Sequence, residues 1–375
     1  MFLLKVKNVS LVKFLKLSER KVVGKTFFLK ELLFMIGIMT IVLGLEGTAW
    51  NLSAAVVSEE DVLYDAESTY KPLHGGIHPR EAAQHHASEM KEVVTRALRA
   101  VKEEGIQLKH IDAIAYSQGP GLGPCLRTVA TAARALSISL EKPLIGVNHC
   151  IAHIEIGRWR CGTRDPVVLY VSGANTQVLA YRAGRYRVLG ETLDIGIGNA
   201  IDKFARYLGL SHPGGPKIEE WASKSSNYVP LPYIIKGMDL SFSGLSTAAK
   251  DATDSHPEEK AGICYSFQET AFAMLTEVTE RAMAHCSRDE LLLAGGVGAN
   301  KRLQQMLEIM CRDRGARFYV PEARYLKDNG SMIAYLGLIM YKHGDITPLE
   351  NSGVNPHYRP DDVKVTWRKS ERFKS

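Results

Sequence analysis

One succession of elements occurs twice in this chain and limits its fold more than any other feature. Residues 40–45 read as an apolar strand, residues 46–51 as a turn, and residues 52–58 and 62–68 as two more strands. From Pro166 the series restarts. Residues 167–172 read as a strand, Gly173-Ala174-Asn175-Thr176 as a small polar turn, and residues 177–181 and 186–189 as strands. Leu43-Gly44-Leu45-Glu46-Gly47-Thr48 and Leu169-Tyr170-Val171-Ser172-Gly173-Ala174 occupy matching places, a likeness of topology rather than of wording. A chain that repeats its opening in this way builds two related halves.

The remainder of each half agrees with a duplication. In the first half Pro79 opens a long helix that Gly105 closes, with Ala83, Met90, Val94, Ala97, Leu98 and Val101 as its apolar stripe. A strand at 111–117, the stiff loop Gly119-Pro120-Gly121-Leu122-Gly123-Pro124, a helix over 126–140 and a strand at 143–147 come next. In the second half a strand at 290–294 leads through Gly295-Gly296-Val297-Gly298-Ala299-Asn300 into a helix ending near 312, then a strand at 317–320. Strands alternating with helices predict an α/β protein with parallel sheets. The expected division is 40–165 and 166–340 for the halves, 341–375 for a C-terminal helix and tail, and 1–39 for a basic extension.

The length of 375 residues is enough for two cores, and 45% apolar with 23% charged residues excludes a disordered or collagenous chain. The net charge of +6 is local. Residues 1–40 carry eight Lys/Arg against Glu19 and Glu31, so the body from residue 41 on is neutral. Such a body does not coat nucleic acid by charge alone. Met35 and Met39 are both plausible translation starts. The apolar stretch 32–45 is too short to span a bilayer and lacks a cleavage site, so a cytoplasmic protein with no membrane contact is expected. None of the six cysteines sits in a CxxC pair, which points to reduced thiols.

Several motifs carry chemistry. Glu46-Gly47-Thr48 is a tight turn whose N–H groups can hold an anion, and with Ser172-Gly173-Ala174-Asn175-Thr176 it makes a two-jawed phosphate clasp. Gly119–Pro124 is not a Walker loop, since no Gly-Lys-Ser/Thr follows; it serves either as an anion site with Arg127 or as a connector. Gly295–Asn300 lets a nucleotide approach the backbone but lacks GxGxxG spacing, which favours a mononucleotide. Asn148 caps a helix that places His149 and His153 on one face, suited to a transition metal. A metalloprotease would need Glu after the first histidine, where Cys150 stands. His74 and His78, with His85 and His86, read as substrate-loop or capping residues. The stretch 194–203 and His212-Pro213-Gly214-Gly215-Pro216-Lys217-Ile218-Glu219 set carboxylates beside Gly-rich turns, suited to ribose hydroxyls or to capping. Asp328-Asn329-Gly330 reads as a tight turn.

Together these residues resemble the TsaD/Kae/Gcp family of tRNA N6-adenosine threonylcarbamoyltransferases, over residues 41–359. The motifs that carry the likeness are Gly-Leu-Glu-Gly-Thr at 44–48, Ser-Gln-Gly-Pro-Gly-Leu-Gly-Pro-Cys-Leu-Arg at 117–127, Val-Asn-His at 147–149 with His153, and Tyr-Val-Ser-Gly-Ala-Asn-Thr-Gln at 170–177. Pro-Gly-Gly-Pro at 213–216, Gly-Gly-Val-Gly-Ala-Asn at 295–300 and Asp-Asn-Gly-Ser-Met-Ile-Ala at 328–334 complete the set. The wording around Tyr170 is similar to the archaeal/eukaryotic branch.

The resemblance implies an actin/hexokinase/chaperone-type ATPase fold (ASKHA), with two related α/β domains closing on a nucleotide. It implies one metal ion per subunit, Fe(2+) or alternatively zinc, held by His149, His153, Tyr170 and Asp328. It implies substrate contacts from Tyr170, Val171, Ser172, Gly173 and Ala174, then Asp202, Gly215, Glu219 and Asn300, with threonylcarbamoyl-adenylate or ATP/AMP as the nucleotide ligand. No catalytic residue beyond the metal site is required. The partners implied are tRNA, a threonylcarbamoyl-adenylate synthase upstream, and KEOPS-type subunits including a separate Bud-type small kinase. Ala174 stands where Gly is usual, and its methyl is expected to narrow that jaw. Residues 1–39 lie outside the likeness. The competing readings are a small-molecule kinase of the same fold and a non-catalytic scaffold.

Overall fold

The computed structural model describes residues 39–72 and 76–368. His74, Met35 and nearly all of the basic extension lie outside the described residues, as does the chain beyond Arg368. Three strands, β1 Ile41–Glu46, β2 Asn51–Ser58 and β3 Val62–Thr69, open the first half. Helix α1 Pro79–Glu103, strand β4 Ala113–Gly119, helix α2 Gly123–Leu140 and strand β5 Leu144–Asn148 come after them, and helix α3 His149–Cys161 leads out of the half. The second half runs β6 Val167–Val171, β7 Thr176–Arg182, β8 Arg185–Glu191, α4 Ile197–Tyr207 and α5 Gly214–Ala222. The small hairpin β9 Ile235–Lys236 and β10 Asp239–Leu240 precedes α6 Ser243–Ser255 and α7 Lys260–Cys286. Then come β11 Glu290–Ala294, α8 Lys301–Asp313, β12 Arg317–Tyr319, the single turn α9 Ala323–Leu326, and α10 Gly330–Lys342.

The two large sheets have the same order, β3-β2-β1-β4-β5 and β8-β7-β6-β11-β12. Neither is wholly parallel; the parallel pairing that the strand–helix alternation predicts holds for the strands joined through helices. In each, the first three strands pair antiparallel and the other two add parallel. The reason is loop length. Only four residues join β1 to β2 and three join β2 to β3, and connections that short permit only antiparallel neighbours.

Helix α10 returns from the second half and lies on β1, β2 and β4 of the first sheet. The boundary expected at 340 therefore runs through a helix that packs on the first half. That approach needs two glycines: a Cβ on Gly44 would stand 2.3 Å from the Ala334 nitrogen, and one on Gly337 would stand 2.3 Å from the Ala115 Cβ. Helix α3 covers the facing side of the second sheet, with Gly157 against Leu292. The two helices pack together in the middle, Trp159 stacked on Tyr335 at 4.2 Å between ring centroids. The middle layer and both inner sheet faces share one apolar core, and each half has a second core under its outer helices. In α1 the buried positions are Ala82, His86, Val93, Val94, Ala97 and Val101, so the stripe is offset from the expected one and contains a histidine.

The segment from 349 on is not a free tail as far as it is described. Tyr116 and Gln118 donate to the Ser352 and Gly353 carbonyls, and Asn148 Nδ2 donates to the Tyr358 carbonyl at 3.0 Å. Arg185 then donates to the Asp361 and Asp362 carbonyls, and Val363 and Val365 are buried. The strap ties the first half to the second. Among the described residues no helix is long and apolar enough to cross a membrane, and all six cysteines are free.

Candidate metal centre and nucleotide cleft

Asn148 ends β5 and caps α3, its Oδ1 accepting from the Ile151 N–H at 3.1 Å. This sets His149 at the first helical position and His153 one turn later. Their rings meet edge to face with centroids 4.8 Å apart, and both are buried. Asp328, expected in a simple turn, precedes the N-terminus of α10, and Asn329 caps that helix by accepting from the Met332 N–H. The placement brings one carboxylate oxygen, Asp328 Oδ1, to 3.4 Å from His149 Nε2 and 3.2 Å from His153 Nε2. Ligand atoms of His149, His153 and Asp328 all lie within 4.8 Å of one another. Tyr170, on β6, is fully buried, its ring 5.5 Å from that of His153.

Glu46 is the residue whose role sequence reasoning missed. It is fully buried at the end of β1, where Oε1 accepts from the Thr48 N–H at 2.7 Å and Oε2 lies 3.1 Å from His149 Nδ1. Thr48 Oγ1 is also 3.4 Å from that nitrogen. The first jaw therefore orients an imidazole. The available signal was a lone carboxylate closing the apolar strand Ile-Val-Leu-Gly-Leu-Glu, since such a group needs a buried partner.

The electrostatics are those of a cation site. Burial works against a charged imidazole at His149, but Glu46 and Asp328 outweigh it and hold the ring well above its usual pKa. At Asp328 burial is outweighed by the His149 and His153 rings, which hold the carboxyl well below the usual range. Burial, with the charge on His149, lowers His153. Burial raises the Tyr170 phenol. Two carboxylates thus converge on two buried imidazoles. His149 has Nδ1 occupied by Glu46, leaving Nε2 for a ligand, and the Tyr170 hydroxyl and His153 Nδ1 lack hydrogen-bond partners among the described residues. The residues fit a metal ion: imidazole, carboxylate and phenol donors suit a borderline divalent metal, and a carboxylate behind a ligating histidine is the usual support.

The second jaw is the turn from Ser172 to Asn175, beside Tyr170. Ser172 closes it, donating N–H to the Asn175 carbonyl at 2.8 Å while its hydroxyl accepts from the Asn175 N–H at 3.1 Å. Two Gly-rich segments pack backbone against it. Asn199 N–H donates to the Gly173 carbonyl at 2.9 Å. Gly295 has φ +90° and lies so close to β6 that a Cβ there would stand 2.3 Å from the Val171 carbonyl oxygen. Gly173 and Ala174 are exposed, so the extra methyl does not close a buried jaw.

The other expected contacts gather where α4, α5, α7 and α8 meet. Gly215, Asn300, Ile201, Ile218, Gln268 and Phe267 line a small cleft there. Asp202 Oδ1 accepts from the Gly214 N–H at 2.7 Å, Glu219 Oε1 accepts from the Lys301 N–H at 2.8 Å, and Asn300 Nδ2 donates to Gln268 Oε1 at 3.0 Å. Each side chain thus spends polar atoms on the fold, and Asn300 spends both, its Oδ1 accepting from the Arg302 and Leu303 N–H groups. At Gly215 a Cβ would meet nothing within 4 Å, so that backbone is open. The Gly119–Pro124 loop lies elsewhere: a Cβ on Gly119 would stand 1.8 Å from the Asn355 carbonyl oxygen, so the loop is a connector under the strap.

Two duplicated sheets of the same strand order around a middle pair of helices define an α/β protein of the actin-like ATPase fold. Solved structures agree on that fold alone: HypF from T. kodakarensis matches with a TM-score of 0.59 at 14% identity over 82% of this chain and 48% of that one. The (R)-2-hydroxyglutaryl-CoA dehydratase component A of Acidaminococcus fermentans matches with 0.51 at 12% over 81% and 98%. The particular family is set by sequence: residues 61–335 match the model of TsaD, tRNA N6-adenosine threonylcarbamoyltransferase, and the chain belongs to that family. It is 65% identical over 334 residues to the protein of that name from Methanococcoides burtonii, covering 89% of this chain and 99% of the relative. It is 61% identical over 327 residues to the one from Archaeoglobus fulgidus, 87% and 99%. A probable bifunctional tRNA threonylcarbamoyladenosine biosynthesis protein of Methanosarcina barkeri is 66% identical over 335 residues, and there the match spans 61% of the longer relative.

Proposed function

We propose that this protein transfers the threonylcarbamoyl group of threonylcarbamoyl-adenylate to N6 of the adenosine 3′ of the anticodon, in tRNAs reading codons that begin with A, releasing AMP. The observation that carries the reading is the convergence of His149, His153 and Asp328 on one point next to the Ser172–Asn175 turn. The acceptor amine forms a bond to the carbamoyl carbon, the bond from that carbon to the phosphate oxygen breaks, and AMP leaves with the electron pair while N6 loses a proton. No nucleophilic Ser or Cys is required. Consistent with that, burial pushes the thiol of Cys150 up to about 11, which keeps it protonated.

The chain's own residues position the two substrates. The N–H groups of Gly173 and Ala174, which are not bonded within the 172–175 turn, face the phosphate, and Asp202, Gly215, Glu219 and Asn300 take the ribose and base. His149, His153, Tyr170 and Asp328 would hold an Fe(2+), which when bound supplies Lewis acidity for the carbonyl. Glu46 fixes the tautomer of His149 so that Nε2 stays a donor to it. The target adenosine has to leave its stack to reach this site. A body without net charge grips tRNA with help from partners, which we assign to KEOPS-type subunits including a small Bud-type kinase, acting in the cytoplasm downstream of a threonylcarbamoyl-adenylate synthase.

The test is AMP release from threonylcarbamoyl-adenylate by the iron-loaded protein with its partners. Release that depends on tRNA, and that His149→Ala abolishes, is expected. Phosphorylation of a small acceptor by ATP without any metal dependence on His149 would favour the kinase reading instead.

A further inference from the structure

Asp328 belongs to the stretch that carries the chain from the second half back to α10, where Asn329 Nδ2 donates to the Lys327 carbonyl at 2.7 Å. Lys327 and Asn329 on either side are extended, with φ/ψ of −77°/165° and −150°/155°. Further anchors come from the first half. Asn51 Nδ2 donates to the Asp328 carbonyl at 2.8 Å, and Asn51 is in turn held by Thr69 Oγ1, donating to its Oδ1 at 2.8 Å, and by Glu67 at 3.2 Å. Two residues on, the Gly330 N–H donates to Ser53 Oγ at 2.8 Å. The Ser331 N–H donates to Asp65 Oδ2 at 2.9 Å, and its hydroxyl to the same oxygen at 2.5 Å. The Ser53 hydroxyl donates in turn to Asp65 Oδ1 at 2.5 Å, which closes the network.

A helix start leaves four backbone N–H groups without partners. In α10 the first two of these are taken by β2 and β3 across the molecule, with a carboxylate favourably placed at the positive end of the helix. The approach is tight, since a Cβ on Gly330 would stand 2.7 Å from the Ala55 nitrogen. Asp328 lies two residues before Gly330, so its height above His149 and His153 follows the height of β2.

We infer that Asn51, Ser53 and Asp65 are positioning residues for the metal ligand Asp328: they set where its carboxylate meets the two histidines. The inference rests on reading His149, His153 and Asp328 as a metal centre, and it names residues that touch neither metal nor substrate. A capping role alone would affect only the stability of the fold. A positioning role also changes the affinity of the folded protein for its ion.

Cobalt(II) alone serves as the probe, because its visible spectrum reports the ligand geometry and a chelator competition gives its Kd. Asp65→Asn removes one of the acceptors that three donors need, and Asn51→Ala frees the Asp328 carbonyl. Each is expected to raise the cobalt Kd about tenfold or more, the usual consequence of losing an outer-shell partner, and to alter the spectrum. Ser352→Ala, which removes the acceptor for Arg134 Nε in the strap, is the control: it lowers the unfolding midpoint and leaves Kd and spectrum unchanged. Folded Asp65→Asn and Asn51→Ala proteins with wild-type Kd and spectrum would overturn the inference. If Asp65→Asn does not fold, Ser53→Ala and Asn51→Ala decide by the same criterion. Asp328→Ala separates the two levels of the argument. Cobalt binding that survives it unchanged refutes the metal centre itself, whereas loss there with no effect at Asp65 and Asn51 refutes only the positioning.

Discussion

Replacing Glu46 by Gln tests the geometry of the site at a single atom. One carboxylate oxygen accepts the Thr48 N–H at 2.7 Å and the other lies 3.1 Å from His149 Nδ1, with no exposure to solvent. An amide has one acceptor where the carboxylate had two. The Thr48 N–H needs that acceptor, which turns the Gln NH2 group toward His149 Nδ1. Nδ1 then becomes an acceptor and the ring proton moves to Nε2, the atom that faces Asp328 at 3.4 Å. A protonated Nε2 cannot ligate. Restoring the ligating tautomer leaves one buried polar group unpaired, at about 1–3 kcal/mol, or about 5- to 150-fold in metal affinity. Glu46→Ala should behave differently. It leaves a cavity and lowers the unfolding midpoint more, but the space admits water, which can accept from Nδ1–H. The expected order is therefore crossed: Gln binds metal more weakly than Ala, while Ala unfolds at lower temperature than Gln. Calorimetric titration with Co(2+) or Fe(2+), alongside thermal unfolding of the metal-free proteins, measures both. Wild-type affinity in Glu46→Gln would refute the tautomer argument, and so would a weaker affinity in Ala than in Gln.

Three further outcomes are expected in other parts of the molecule. Gly330→Ala puts a methyl 2.7 Å from the Ala55 nitrogen and 2.9 Å from the Ala54 carbonyl carbon; backbone cannot rotate away, so a loss of about 1–3 kcal/mol in denaturant unfolding is expected, and no loss would mean that α10 sits higher above β2. Burial, reinforced by the neighbouring His85, lowers His86 to about 4. Its unfolded form takes up a proton first as pH falls, so stability drops between pH 6.5 and 4, by up to about 3 kcal/mol at the acid end. His86→Leu should flatten the difference in stability across that window, and an unchanged pH slope would contradict it. Asn300→Ala removes the cap that accepts from the Arg302 and Leu303 N–H groups at 2.9 and 3.2 Å, costing about 1 kcal/mol. Because Asn300 also lines the cleft, added AMP should raise the unfolding midpoint of this variant less than that of the wild type, and an equal rise would remove Asn300 from the nucleotide site.

The parts of this fold that are legible in the sequence are local ones. Asn148, His149 and His153 declare their geometry because a cap and a four-residue spacing are read within one helix. The duplicated strand openings show as a repeated pattern for the same reason. The illegible parts depend on contacts far along the chain. Glu46 meets His149 across 103 residues and Asn51 meets Asp328 across 277, and neither pair has a spacing to recognise. Chain order alone assigns helix α10 to the second half, whereas the small residues Gly44 and Gly337 seat it on the first. The strap from 349 on looks like a tail in the sequence because many of its bonds are made by its backbone, which composition does not reveal.

The most direct test of the central claim is mass analysis of nucleosides from tRNA incubated with this protein, its partners, threonine, bicarbonate and ATP. The account predicts threonylcarbamoyladenosine at the position 3′ of the anticodon with the wild-type protein, and none with His149→Ala or Asp328→Ala. Unmodified tRNA from a mixture in which the synthase and every partner are shown to be active would contradict it, as would full modification by the His149→Ala protein.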